Sequence, residues 1–154
     1  MKFRMVDRII DLQPGKSIRG MKTVSFEEYQ LKSAFGGDCG LPESLVLESF
    51  FQLGNWLIML SSDFKKMGLL VRFEDVQFKG ALSPGQSMVM EVEVQRYRED
   101  GVLFDGRAMV NGETIALGKG CLATLVDSAE YFDCDDLKKL FSNLYRPENT
   151  APVE

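Results

Sequence analysis

The sequence predicts an α+β domain in which a curved antiparallel β-sheet wraps one long, buried helix. Residues 44–62, SLVLESFFQLGNWLIMLSS, are apolar nearly all round a helical projection, so this helix is buried on most sides. Residues 70–126 instead alternate in runs broken by turn residues, the period of antiparallel strands. A hairpin pattern opens the chain. A helix this apolar needs a sheet curved around it, and a second subunit as well, because one small sheet does not cover every side. The domain is therefore expected to be at least dimeric.

Each element follows in order. Residues 3–12 are β-branched and alternating, which predicts a strand. Gln13, Pro14, Gly15 and Lys16 supply turn chemistry, with proline presetting φ and glycine taking the positive-φ position. Residues 17–24 return as the second strand. Ser25 and Glu28 fit a capping box that opens a short helix to about residue 33. A Gly-rich loop, FGGDCGLPE, leads to Pro42, placed where the first turn of the long helix begins. After that helix come LVRFEDVQFKGAL, the turn SPGQ, and MVMEVEVQRYR. In the last of these Met88, Met90, Val92 and Val94 share one face and Glu91, Glu93 and Gln95 the other. Glu99, Asp100 and Gly101 turn the chain into VLFDGRAMV, and Asn111-Gly112 predicts a hairpin into ETIALGKGCLATLV. Leu137, Leu140, Phe141, Leu144 and Tyr145 recur at helical spacing behind Asp133, Asp135 and Asp136, which favour a helix N-terminus. These patterns give a domain over 1–127, an amphipathic helix over 128–146 packing on it, and a disordered tail over 147–154.

Composition narrows the function. The chain has 154 residues, 45% apolar and 27% charged, an ordinary composition for one globular domain. Its net charge of −5, with no basic block, argues against a nucleic-acid partner. There is no histidine. That removes Ser-His-Asp and Cys-His catalysis supplied by this chain alone, and with it His-ligated zinc, iron or haem. No metal is expected. Cys39, Cys121 and Cys134 form no CxxC, and an odd number excludes a complete internal disulfide set; a reduced, cytoplasmic chain is the simplest expectation. The charged N-terminus has no signal-peptide core. The apolar stretch 45–60 is too short for a membrane span and carries Glu48, Gln52 and Asn55.

Those three polar residues lie at i, i+4 and i+7, one polar line on an oily rod. An unpartnered buried carboxylate costs several kcal/mol, and a desolvated Glu48 is expected to have a raised pKa suited to general acid/base work. Mutual satisfaction of the three groups, at a helix end or a subunit contact, is the alternative. The GGDCG stretch ahead of the helix offers backbone N–H groups able to polarise a carbonyl, or is simply a tight turn.

Taken together, these residues resemble the 3-hydroxyacyl-acyl-carrier-protein dehydratases, a family with the hotdog fold. The resemblance runs from about Met5 to Leu125. Val6-Asp7-Arg8 and Pro14-Gly15-Lys16 match the family's opening. SAFGGDCGLPESLVLESFFQ follows its motif Gly-His-Phe-Pro-Gly-His-Pro-x-x-Pro-Gly-x-x-x-x-Glu-x-x-x-Gln through Phe35, Gly37, Pro42, Glu48 and Gln52, and FKGALSPGQ keeps Pro84 and Gly85. The departures fall in the same motif: Ala34 stands at the family's catalytic His, Asp38 at its second His and Glu43 at its helix-opening Gly. The resemblance implies that Glu48 is the retained catalytic carboxylate and Gly37 the backbone donor to the thioester carbonyl. Ala34 marks the missing base, and Phe35, Asp38, Gln52 and Asn55 line the substrate. Loss of a general base costs about 10²–10⁴-fold.

Three roles fit. The chain pairs with a His-bearing hotdog protein, so that a heterodimer carries one complete dehydratase site. Or a homodimer uses Glu48 as base or nucleophile in an acyl thioesterase. Or it binds an acyl chain or assembles with other hotdog proteins without catalysis. The resemblance implies no cofactor beyond the phosphopantetheine arm of the substrate, and an acyl-carrier protein or acyl-CoA as partner.

Overall fold

A computed structural model describes residues 4–26 and 40–147. Within these residues, seven strands, two complete helices and one 3₁₀ turn follow in the order β1 (Arg8–Gln13), β2 (Ser17–Thr23), α1 (Glu43–Ser61), β3 (Lys66–Arg72), β4 (Asp75–Phe78), β5 (Ser87–Tyr97), β6 (Gly101–Val110), β7 (Glu113–Asp127), the turn Ser128–Glu130, and α2 (Cys134–Leu144). The strands form one antiparallel sheet in the order β1-β2-β5-β6-β7-β3, with β4 also paired to β7. The chain thus has the expected α+β plan of one long helix against one antiparallel sheet.

Alternation decides which face of the sheet meets α1. Met88, Met90 and Val92 of β5 are buried together with Val102, Phe104, Ala108 and Val110 of β6. Glu91, Glu93, Asp105 and Arg107 point the other way, where Arg107 and Arg19 both pair with Glu91. Helix α1 lays Phe50, Leu53, Leu57 and Ile58 on the apolar face, each at most 1% exposed. The approach is close. A Cβ on Gly54 would stand 3.1 Å from the Phe104 ring, so only glycine lets that ring pack flush against the helix.

Several element boundaries differ from the sequence expectation. The first strand begins at Arg8 rather than near residue 3: Met5 and Val6 are buried, but the Met5 N–H goes to the Gln52 side chain instead of a neighbouring strand. The stretch 70–82, read as one alternating run, is two strands. β3 starts at Lys66 because Asp63 and Phe64, both at positive φ, reverse the chain directly after α1, and the Ser62 hydroxyl bonds both the N–H and the carbonyl of Lys66. β3 then ends at Arg72, and β4 resumes at Asp75 along the same partner. The gap faces Gly120 and Cys121 of β7, where Gly120 at φ +60° and its N–H bonded to Asp105 Oδ1 make a bulge. The helix proposed from Ser25 to about residue 33 lies outside the described residues, apart from its first two positions.

Helix α2 occupies only part of the segment 128–146. Its start is set by Asp133, whose side chain accepts from the N–H groups of Asp135 and Asp136. It packs against α1 and the turn that follows it: Phe141 lies 6.2 Å from Trp56 and 6.1 Å from Phe64, ring centre to ring centre. Arg146 N–H then bonds the Ile9 carbonyl of β1. Part of the covering that α1 needs therefore comes from its own chain. The tail read as disordered lies, from residue 148, outside the described residues. Among the described residues no helix is long and apolar enough to cross a membrane.

Candidate functional site

Helix α1 brings Glu48, Gln52 and Asn55 onto one half-buried line, as the i, i+4, i+7 spacing requires. They line a cleft of about 350 Å³ with Phe51 and Ile58 of α1, residues 67–70 of β3, Phe104 and Ala123. The apolar floor, Phe104 and Ala123, comes from the inner faces of β6 and β7. Phe51 stacks on Phe73, ring centres 6.3 Å apart, beside the free edge of β3.

The polar line is organised by hydrogen bonds. Gln52 Nε2 donates to Glu48 Oε1 at 2.9 Å, and Gln52 Oε1 accepts the Met5 N–H at 2.8 Å. The amide is thereby oriented, and it orients the carboxylate. Glu48 Oε2 has no partner among the described residues. Asn55 plays a different part. Its Oδ1 accepts the N–H of Gly68 at 2.9 Å, tying α1 to the outer edge of β3.

The remaining residues singled out in the sequence, Ala34, Phe35, Gly37 and Asp38, lie outside the described residues, as does Cys39. The anchors on either side of their loop are described, and both fall on one segment. Val24 N–H bonds the Gln86 carbonyl and Gly85 N–H bonds the Val24 carbonyl. On the far side, Leu41 N–H bonds the Leu82 carbonyl at 2.6 Å. Residues 82–86 therefore anchor the chain at Val24 and at Leu41, on either side of the stretch that lies outside the described residues. Pro42 is the N-cap of α1, at φ −52° and ψ 140°, so the helix begins one residue later at Glu43. Chain geometry alone puts the loop exit at the Glu48 end of the cleft.

Two nearby features are structural. Cys121, on β7 opposite Phe104 of β6, is buried, and desolvation with the nearby Asp105 charge pushes its thiol up to about 11, so it supplies no nucleophile near neutrality. Lys66 pairs with Asp127 and Arg72 with Glu74 on the surface. The contributions of Met5, Gly68, Phe104 and Ala123 to the site carry no sequence signal; they arise from sheet register and from the N-terminal segment crossing α1.

Comparison with known proteins agrees with this arrangement. The chain is 35% identical over 127 residues to the 3-hydroxyacyl-[acyl-carrier-protein] dehydratase FabZ of Yersinia enterocolitica, covering 80% of this chain and 73% of that protein. It is equally similar to the Yersinia pestis FabZ, covering 69% of its length. Among solved structures it resembles a hot-dog-like protein from Thermanaerovibrio acidaminovorans (TM-score 0.59, 20% identity, 84% of this chain and 90% of that one). It also resembles the Escherichia coli PaaI protein (TM-score 0.61, 12% identity, 77% and 79%) and zebrafish thioesterase superfamily member 2 (TM-score 0.61, 14% identity, 77% and 80%). At these identities the structural likeness establishes the hotdog fold. Residues 1–119 match the FabA-like domain model, and with FabZ relatives at 35% identity the chain belongs to the FabA-like family.

Proposed function

We propose that this protein is a dehydratase-like subunit that binds 3-hydroxyacyl thioesters on a carrier protein and supplies Glu48 to a site completed by a His-bearing hotdog partner. The observation that carries the reading is the oriented carboxylate. Glu48 is held through Oε1 by Gln52, with Oε2 open at an apolar cleft, in a chain with no histidine anywhere. Positioning a carboxylate for proton transfer without a base of its own makes chemical sense if the base arrives from elsewhere.

In this scheme Glu48 enters as the carboxylic acid: the partner's imidazole removes the α-proton and becomes imidazolium, and Glu48 gives its proton to the departing 3-hydroxyl, which leaves as water with Glu48 left as carboxylate. Backbone N–H groups of the Gly-rich stretch, Gly37 first, hold the thioester carbonyl. Phe35 and Asp38 border the substrate there, with Ala34 at the vacated base position. The substrate's phosphopantetheine arm reaches the cleft past the loop anchored at Leu82 and Gln86, and the setting is the cytoplasm. The outer edge of β3, which pairs with no other strand among the described residues, supports a partner: Leu69 and Val71 on β3 and Phe73 just after it are 39%, 63% and 43% exposed beside the cleft.

The test is to incubate the purified chain with a 3-hydroxyacyl-carrier thioester, alone and mixed with a His-bearing hotdog protein, and to follow enoyl formation and thiol release. Enoyl product only from the mixture, lost with Glu48→Gln, is the expected result. Thiol release from the chain alone, lost with the same substitution, would replace this reading with a thioesterase built on Glu48. Binding without either product would leave an acyl-binding subunit.

A further inference from the structure

The cleft has a second polar feature that proton transfer at Glu48 does not use. Asn55 Oδ1 is committed to the Gly68 N–H, because that backbone donor on the outer edge of β3 takes this oxygen as its acceptor. The amide is thereby turned so that Nδ2, with two N–H donors, is its other pole. Nδ2 has no hydrogen-bond partner among the described residues, and Asn55 lines the cleft. Away from Glu48 and Gln52, the lining that an acyl chain would meet is apolar: Ile58, Met67, Leu70, Phe104 and Ala123. From Glu48 to Asn55 is seven residues, about 10 Å along the helix axis.

We infer that Asn55 Nδ2 is a specificity-determining donor, and that the cleft selects acyl chains carrying an oxygen function, a ketone or hydroxyl, roughly 10 Å beyond the atoms that meet Glu48. The inference rests on the reading of the cleft as an acyl-thioester groove and deepens it. The physical reason is desolvation. A plain alkyl chain laid across this amide strips its water and returns nothing, at a cost of roughly five- to a hundredfold in affinity. A chain with an oxygen at that depth restores the hydrogen bond. An apolar side chain at position 55 would have made the groove indifferent to chain chemistry; asparagine makes it discriminating.

The test uses the full chain and two probes. One is an S-alkyl pantetheine thioether with a long saturated chain. The other is the same compound carrying a single ketone about 10 Å beyond the position that faces Glu48. Titration calorimetry should show the ketone probe bound roughly tenfold more tightly by the wild-type chain. Asn55→Asp keeps an oxygen for the Gly68 N–H and removes the donor. It should abolish or reverse the preference while leaving the melting temperature and the hydrogen-exchange protection of β3 unchanged. Equal affinity of the wild-type chain for both probes would overturn the inference and leave the acyl-groove reading standing, as would a preference that persists in Asn55→Asp. Failure of both probes to bind the wild-type chain would remove the groove reading itself.

Discussion

Gln52 Nε2 donates to Glu48 Oε1 at 2.9 Å while Gln52 Oε1 accepts from the Met5 backbone, so the rotamer of the carboxylate is set by a segment outside the helix that carries it. Glu48 alone on a half-exposed helix face would sample several rotamers. Held by an amide that is itself held by backbone, it presents one oxygen to the cleft. Gln52→Leu should therefore lower the activity of the completed site by roughly ten- to a hundredfold, the worth of a hydrogen bond to a charged group. Substrate binding should change less, because kcat and not KM depends on carboxylate aim. Steady-state kinetics on the mixture with a His-bearing partner decides it; an unchanged kcat would mean that Glu48 is aimed by something else.

Gly68 sits where helix and edge strand meet. A Cβ there would lie 2.7 Å from Ile58 Cδ1 and 3.1 Å from the Ala123 Cβ. Gly68→Ala should destabilise the chain by about 1–3 kcal/mol through overpacking. Ile58→Val removes the offending methyl, so the double variant should recover part of that loss. Denaturant unfolding of the four chains gives the coupling directly, and strict additivity would contradict the contact.

Asp133 caps α2 through two backbone N–H groups. Asp133→Ala should cost about 1 kcal/mol, a melting shift of a few degrees. Because α2 covers Trp56 through Phe141, the same variant should alter tryptophan fluorescence, the chain having one Trp. A native emission spectrum would show that α2 stays docked without its cap.

Cys121 carries a pH prediction. Its folded thiol titrates at about 11 against an ordinary value of 9.0, raised first by burial and then by Asp105. A folded pKa above the unfolded one favours the native state while the thiol is neutral, so this contribution is complete below pH 9 and is lost as pH rises toward 11. Unfolding midpoints across that window should fall less steeply in Cys121→Ala than in the wild-type chain. Site-resolved labelling at pH 8 should leave Cys121 unmodified in the native chain and modify it after denaturation.

How much of this was legible beforehand follows from the range of each interaction. The long helix, the hairpins at Pro14-Gly15 and Asn111-Gly112, and the inward face of β5 are local patterns, and they appear where the periodicity puts them. The line of Glu48, Gln52 and Asn55 is equally local, because helical spacing alone puts the three on one face. The division of the stretch 70–82 was not legible, because its cause, the Gly120 bulge, lies some forty residues away on the partner strand.

The sequence by itself determined the class of fold, the family and the absence of any histidine base, because composition, periodicity and ordered motifs are properties of the chain read in one dimension. Only the tertiary structure decided what the polar line does. It gave Gln52 to Glu48 and Met5, gave Asn55 to Gly68, and left one carboxylate oxygen and one amide nitrogen facing an apolar cleft. Those partners lie thirteen and forty-seven residues away along the chain. Which pole of an amide is used depends on the donor or acceptor that folding brings to it, and spacing along a helix carries no record of that.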